Sequence, residues 1–253
     1  MLIPAGISFG FGESDLSGFL YSFAISIIIG LPIWFFTRKG YSVTNKDGFA
    51  IVTFAWILTG IVGALPFYLS GAIPNVTDAF FESMSGVTTT GATIIGNPET
   101  LPHLPNGIES LPHGILFWRS FIQWIGGMGI IVFTIAILPL LGVGGVQLFK
   151  AEVPGPVSDK IRPRVRETAK YLWMVYIGFT IAEIIMLKIA GMNWFDAVCH
   201  SFTTIATAGF STHSESIKFF NSPGIEWTMI FFMFILVIMI YLFCVYKETY
   251  ENF

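Results

Sequence analysis

The 253-residue chain is 54% hydrophobic and only 11% charged, with a formal net charge of -3 and a mean hydropathy of +0.72. Soluble domains carry roughly 25% charged residues, so this composition excludes a soluble globular domain and indicates an integral membrane protein. The two cysteines, Cys199 and Cys244, lie in apolar surroundings. We therefore expect free thiols rather than a disulfide or a zinc site.

Five apolar segments are predicted to cross the bilayer, because each approaches the roughly 20 residues that a spanning helix needs. They cover residues 19–36, 49–68, 115–141, 171–189 and 227–246. Lysine and arginine concentrate after the first span, in a linker at residues 146–170 and after the fifth span. Because basic segments stay in the cytoplasm, this distribution predicts a cytoplasmic linker and an external N-terminus.

One segment between the second and third spans is too short to cross. Residues 78–94, DAFFESMSGVTTTGATI, begin as an apolar helix that ends at Gly86 and continue with three threonines and Gly91. Threonine favours extended backbone, and glycine permits a turn that a Cβ would block. The pattern predicts a re-entrant pore loop, a half-helix followed by an extended return, since irregular backbone at membrane depth must line a cavity or be buried in protein.

The same segment occurs a second time, as DAVCHSFTTIATAGFS at residues 196–211. A repeat of this kind fixes the architecture. We predict an all-α membrane protein with two span–pore-loop–span repeats of potassium-channel-like architecture and one preceding transmembrane helix. The expected divisions are residues 1–46 for the N-terminal segment, 47–145 for the first repeat, 146–170 for the cytoplasmic linker and 171–253 for the second repeat.

The residues around the two loop glycines are the candidate ion site. Backbone carbonyls there can replace the water shell of a cation, whose transfer into a low-dielectric medium otherwise costs on the order of 20 kcal/mol. The alternative is a pair of ordinary external turns. The candidate residues are Thr89, Thr90, Gly91, Thr207, Ala208 and Gly209.

Charged residues inside the predicted helices suggest further roles. Arg119 in the third span either pairs with Glu82 and braces the first loop, or extends to the outer interface. Asp78 and Asp196 are expected to cap the half-helices. Glu183 in the fourth span is either a proton-coupling carboxylate or a polar contact between packed helices. No set of catalytic residues is complete, so we expect no enzyme activity.

Several long motifs together carry a resemblance to a known family. They are DAFFESMSGVTTTGAT, FWRSFIQWIGGMGIIVFTIAILPLLGVGG, QLFKAEVPGPV and FDAVCHSFTTIATAGFSTH, between about residues 48 and 227. The chain thereby resembles the TrkH-type membrane subunits of the Trk/Ktr potassium uptake family. The resemblance implies four span–pore–span repeats around one axis, one filter glycine per repeat, potassium uptake at the bacterial inner membrane, and a cytosolic nucleotide-binding regulatory ring of the TrkA type.

The chain departs from that family pattern because it has two repeats and one preceding span, and its last stretch, residues 239–253, reads differently. We expect a truncated or frameshifted product, or a fragment, completed by the missing C-terminal repeats or by a second copy. Potassium is the expected ion, with no organic cofactor and no nucleic acid partner; channel and symporter both stay open. The alternative is a non-conducting regulatory or interaction half-subunit of a full-length cation transporter.

Overall fold

The computed structural model describes residues 1–37, 45–96, 101–137 and 161–250, and all regular structure within these ranges is helical. The prediction of an all-α membrane protein is therefore confirmed. The helices are α1 (Leu2–Phe11), α2 (Leu16–Thr37), α3 (Asn45–Leu69), α4 (Val76–Val87), α5 (His113–Ile137), α6 (Ile161–Ile189), α7 (Trp194–Ile205) and α8 (Pro223–Tyr250). Two short 3-10 helices, Gly107–Ser110 and Ser216–Phe220, lie between them.

The longest apolar helices have the dimensions of membrane spans. Among the described residues, Leu16–Thr37, Ala50–Leu69 and Ala169–Ile189 are long and apolar enough to cross a bilayer. Their outer faces carry large apolar side chains, such as Phe36 at 79% exposure and Phe54 at 70%. A surface this apolar is stable against lipid rather than water, which agrees with the composition.

Two of the differences between the helix boundaries and the predicted spans concern the linker. Helix α6 begins at Ile161 rather than at residue 171. Pro163 falls in its first turn, where backbone N–H groups have no intrahelical partner, so the missing N–H of proline costs little there. Helix α5 ends at Ile137, and the rest of the predicted third span and most of the linker lie outside the described residues.

Helix α1 is an element that the sequence analysis missed. It spans Leu2–Phe11 and ends at Gly12, whose φ of 69° is left-handed. Glu13, just beyond, lies 2.8 Å through Oε1 from the Nδ1 atom of His113 on α5. Spans are predicted from segments of about 20 apolar residues, the length that crosses a bilayer. Helix α1 has only 10 residues.

The two repeats have matching half-helices. Helix α4 covers Val76–Val87, and a displacement of 118 positions at both ends (194 − 76 and 205 − 87) gives the bounds of α7, Trp194–Ile205. Each repeat thus consists of a long helix, a half-helix, an irregular loop and a second long helix: α3, α4 and α5 in the first, α6, α7 and α8 in the second.

The prediction that Asp78 and Asp196 cap these half-helices is wrong. The caps are the asparagines three positions earlier: Asn75 Oδ1 accepts the Thr77 N–H at 2.9 Å, and Asn193 Oδ1 accepts the Asp196 N–H at 2.8 Å. A cap residue has non-helical backbone, whereas both aspartates lie inside the first turn. Their charges still suit the positive end of the helix dipole.

Glycines of the spanning helices allow the half-helices to approach closely. A Cβ added at Gly126 of α5 would collide with the carbonyl oxygen of Val87, the last residue of α4. At the next position, Gly127, an added Cβ would lie 3.0 Å from the Cα atom of Ala206, which follows α7. Helix α5 therefore touches the ends of both half-helices and lies between the two repeats, as small residues at helix contacts permit.

Cysteine labelling tests the predicted orientation. In a chain whose Cys199 and Cys244 are replaced by alanine, single cysteines are placed at Asn106 and at Ser158. An impermeant maleimide should label the cysteine at position 106 in intact cells and the one at position 158 only after lysis, because the distribution of basic residues predicts a cytoplasmic linker. The opposite labelling pattern would reverse the orientation.

Candidate functional site

The backbone turns sharply at the end of each half-helix and in the same way. After α4, Thr89 N–H donates to Gly86 O at 3.0 Å, and Thr90 N–H donates to Ser85 O at 2.9 Å. After α7, the N–H groups of the equivalent Thr207 and Ala208 donate at 2.8 and 2.9 Å to Thr204 O and Thr203 O. This pair of hydrogen bonds is the Schellman motif, which usually needs a glycine.

Threonine occupies the left-handed position in both motifs. Thr89 has a φ of 56°, and Thr207 has a φ of 51°. A β-branched residue in this conformation costs about 1–3 kcal/mol, and such strain concentrates at functional positions. The loop glycines are left-handed too, with φ 75° at Gly91 and 99° at Gly209. The loop segments thus contain left-handed positions at two threonines as well as at the two glycines.

This geometry leaves carbonyl oxygens without hydrogen bonds from the described residues in both loops. The N–H groups of Thr89, Thr90, Thr207 and Ala208 bond back into their half-helices. No hydrogen bond in the described parts of the chain ends on the carbonyl oxygens of the six candidate residues, at positions 89–91 and 207–209. Free carbonyls beside the negative end of a helix dipole form an environment that favours a cation.

The two loops meet at Gly91. A Cβ added there would collide with the carbonyl oxygen of Ala208 in the other loop. By contrast, a Cβ added at Gly209 would have no atom within 4 Å. The structure thus brings the two groups of candidate residues together, with one glycine enclosed by the neighbouring loop and the other facing open space.

Arg119 lies fully inside the protein and contacts both loops. Its side chain is 1% exposed, and Nε lies 3.0 Å from Oε1 of Glu82, which is 0% exposed. The guanidinium also donates from Nη2 to Thr93 Oγ1 at 3.2 Å and from Nη1 to Ser211 O at 3.1 Å. Because this group is buried, the alternative in which Arg119 extends to the outer interface does not describe the fold.

Glu82 connects the first half-helix to its own loop. Its carboxylate accepts the Thr93 hydroxyl at 2.9 Å and the Ile94 N–H at 3.2 Å, in addition to the Arg119 guanidinium. A buried carboxylate with several donors is far less unfavourable than an isolated one. The return of the first loop is therefore attached to its half-helix by one side chain.

The second loop is attached by different residues. Asp196 accepts the Thr212 hydroxyl at 2.6 Å and an N–H of Asn193 at 2.5 Å, and it lies 3.3 Å from Nε2 of His213. Thr212 Oγ1 also lies 3.3 Å from Nε2 of His200, the residue equivalent to Glu82. Sequence reasoning missed Thr93, Thr212 and His213; their position just after the loop glycines was the available signal.

The outer connection of the first repeat covers the second loop. Glu109 accepts the N–H of Ser214 at 2.7 Å and its hydroxyl at 2.5 Å. Partial burial opposes ionisation of Glu109, but these hydrogen bonds outweigh it and hold the pKa of its carboxyl below the ordinary value. The contact is a further connection between the two repeats.

Two other sequence expectations concern buried groups. Both carboxylate oxygens of Glu183 are buried and make no hydrogen bond of standard geometry in the described ranges, yet the carboxyl interacts with the Thr204 side chain of α7. A polar contact between packed helices and a proton-coupling role both stay predictions. Cys199 is a buried free thiol, as expected. Within the described residues no group of three or more His, Cys, Asp or Glu side chains could hold a metal ion.

Two re-entrant half-helices between long apolar helices, with free carbonyls where the loops meet, define a membrane protein of the pore-loop class. The family model "TrkH: Cation transport protein" matches residues 16–247. The chain therefore belongs to the TrkH family of cation transport proteins, and the resemblance seen in the sequence is confirmed.

Individual relatives agree with this assignment. The Trk system potassium uptake protein TrkH of Escherichia coli K12 is 48% identical over 239 residues, which are 93% of this chain and 47% of that protein. TrkG of the same strain is 41% identical over 230 residues, 89% of this chain and 45% of that protein. The crystal structure of the potassium transporter TrkH from Vibrio parahaemolyticus matches with a TM-score of 0.74 at 40% identity, covering 91% of this chain and 44% of that chain.

These comparisons also establish a difference in length. The chain spans about half the length of the curated relatives that it matches.

The enclosed and open loop glycines should respond differently to a methyl group. Gly91→Ala should lower the apparent melting temperature in detergent more than Gly209→Ala, because it adds a collision with Ala208 to the cost of a positive φ. Gly178→Ala is the matched control, since its Cβ meets no atom within 4 Å and its φ is helical. Equal melting temperatures for the two loop variants would contradict the loop contact.

Removing one member of the buried ion pair should be costly. Glu82→Gln and Arg119→Met should each lower the free energy of unfolding by about 3–5 kcal/mol, because each leaves a buried charge uncompensated. The double variant should be less destabilised than the sum by about 1–3 kcal/mol. Unfolding in mixed micelles measures this, with Ser120→Ala as the control on the same helix; additive losses would exclude a direct pairing.

Proposed function

We propose that this chain supplies half of a potassium uptake pathway in a bacterial inner membrane. Potassium is the cargo, coordinated by backbone carbonyls at positions 89–91 and 207–209, and no organic cofactor takes part. The observation that carries the proposal is the equivalent left-handed reversal at Thr89 and Thr207. Strain repeated at equivalent positions supports a common function for the carbonyls that it exposes. The potassium transporters among the relatives support the choice of ion.

The ion pair of Arg119 and Glu82 is proposed to brace this filter. A filter must hold its oxygens at fixed positions while it exchanges water for protein contacts with the ion. The guanidinium reaches Thr93 in the first loop and Ser211 in the second. These contacts support a role in keeping the two loops in register.

Two loops are not enough to surround an ion. Thr88, Thr90 and Ala92 of the first loop are exposed, whereas their equivalents at positions 206, 208 and 210 are buried. The first loop thus has an open flank where the second is covered by the other repeat. Exposed backbone of this kind is unstable in lipid, which supports completion of the ring by further repeats.

Two partners can complete the ring. One is a second copy of this chain about a twofold axis, the commonest closed symmetry. The other is a separate polypeptide that carries the third and fourth repeats. We favour it because the family resemblance implies an intramembrane gating loop in the third repeat and a basic residue near the pore in the fourth, and a second copy of this chain would supply neither. The divisions at residues 1–46, 47–145, 146–170 and 171–253 and the nucleotide-binding ring of the TrkA type belong to the same proposal.

A non-conducting half-subunit is the second candidate function. It rests on the same open flank, which can dock on a full-length cation transporter. In this case the chain alters the uptake of a complete transporter and adds no pathway of its own.

Complementation and flux measurements separate these functions. The chain is expressed in potassium-uptake-deficient bacteria alone, with the C-terminal half of Vibrio parahaemolyticus TrkH, and with a full-length TrkH. Growth at low potassium should need the C-terminal half, and purified mixtures should give potassium flux in liposomes. Flux from a verified monomer would refute the requirement for a partner, and an effect confined to the full-length TrkH would favour the regulatory function.

The loop glycines should govern ion selection in the completed assembly. Gly91→Ser and Gly209→Ser should each lower the ratio of potassium to sodium uptake, because a side chain resists the positive φ that orients the carbonyls. Isotope uptake with normal expression measures this, and Gly178→Ser serves as the control. An unchanged ratio in both loop variants would remove these glycines from the filter.

A further inference from the structure

We infer that Gln123 of α5 is a positioning residue for the second loop, so that one repeat sets the backbone geometry of the next repeat's loop. The side chain is 0% exposed, and its Oε1 atom accepts the backbone N–H of Phe210 at 3.2 Å. Phe210 directly follows Gly209, which has a φ of 99°. The hydrogen bond thus reaches the second loop one residue beyond its left-handed glycine.

The orientation of the Gln123 amide follows from its partner. Phe210 N–H is a donor, so only the oxygen of the amide can face it. The Nε2 atom of Gln123 is buried and has no hydrogen-bond partner among the described residues. An unpaired buried donor is unfavourable. Any stabilisation that Gln123 gives to the second loop therefore comes from its oxygen, which accepts the Phe210 N–H.

Neighbouring contacts of α5 act on the same part of the second loop. One turn earlier, the Arg119 guanidinium lies over the Phe210 ring at 4.3 Å from its centroid and donates to Ser211 O at 3.1 Å. One turn later, Gly127 contacts Ala206 at the start of the loop. A single face of α5 therefore touches the second loop at both ends and beside its glycine.

In the described part of the first loop, the side chains that accept backbone N–H groups belong to the same repeat. Its return is held by Glu82 of its own half-helix, through the Thr93 hydroxyl and the Ile94 N–H. The equivalent of Glu82 in the second repeat is His200, which contacts Thr212 but no backbone N–H of the loop. The backbone N–H of the second loop is thus bound by α5, a helix of the preceding repeat, whereas that of the first loop is bound by its own half-helix.

Hydrogen exchange measured on the full chain in detergent tests this inference without any transport. Gln123→Met should speed exchange of the Phe210 amide, followed in peptides covering residues 206–213, by roughly three- to tenfold, because its hydrogen bond is lost. Peptides covering residues 86–95 should be unchanged. Gln123→Glu keeps an acceptor oxygen and should retain slow exchange, and Ser120→Ala, a buried hydroxyl that bonds within α5, should resemble the unmodified chain.

Two outcomes would overturn the inference: unchanged exchange at residues 206–213 in Gln123→Met, or equally faster exchange with Gln123→Met and Gln123→Glu. The consequence for ion selection rests on the proposed filter. In the assembly with the C-terminal half of Vibrio parahaemolyticus TrkH, Gln123→Met should lower the potassium-to-sodium uptake ratio while Ser120→Ala leaves it unchanged. Absence of potassium uptake by the unmodified assembly would refute the proposed function and leave the exchange result standing.

Discussion

The buried guanidinium of Arg119 is the constraint on which the arrangement of both loops depends. A charge taken out of water costs several kcal/mol unless it is paired and hydrogen-bonded. Here Glu82 supplies the countercharge, while Thr93 and Ser211 supply acceptors from two different loops. Moving either loop would leave donors of a buried charge unpaired, so the two loops are held in one relative position by the same group.

Close packing of α5 makes that contact geometrically available. Gly126 and Gly127 bring the α5 backbone against Val87, the last residue of α4, and Ala206, the residue after α7. Side chains one turn and two turns away then reach the loops that follow, because helix positions three or four apart share a face. Small residues are a weak signal in the sequence, but here they bring α5 close enough for Arg119 and Gln123 to contact the loops.

The sequence predicts the class and the repeats well because hydrophobic length and a gapless repeat are local signals. It also suggests the partner of Arg119, since Glu82 is the carboxylate on the adjacent half-helix. It does not predict that Arg119 contacts Ser211 or that Gln123 contacts Phe210 in the second loop. Both contacts are made to backbone groups, which every residue has, so the residue types in the loop give no signal for them. The caps were misassigned for a related reason: Asn75 and Asp78 are both good N-terminal residues, and only backbone conformation separates them.

The difference between the two loops bears on how such a chain is completed. The second loop is covered because α5 of the preceding repeat lies against it, and Phe210 is 3% exposed as a result. The first loop also has irregular backbone that must be covered, yet Ala92, the equivalent of Phe210, is exposed. If each loop is covered by the helix of the repeat before it, the element missing beside the first loop is a helix with the same small-residue face and polar side chains as α5. A partner lacking such a helix would leave that flank open to lipid. The surface that completes the ring is therefore expected to present small residues and polar side chains, as α5 does.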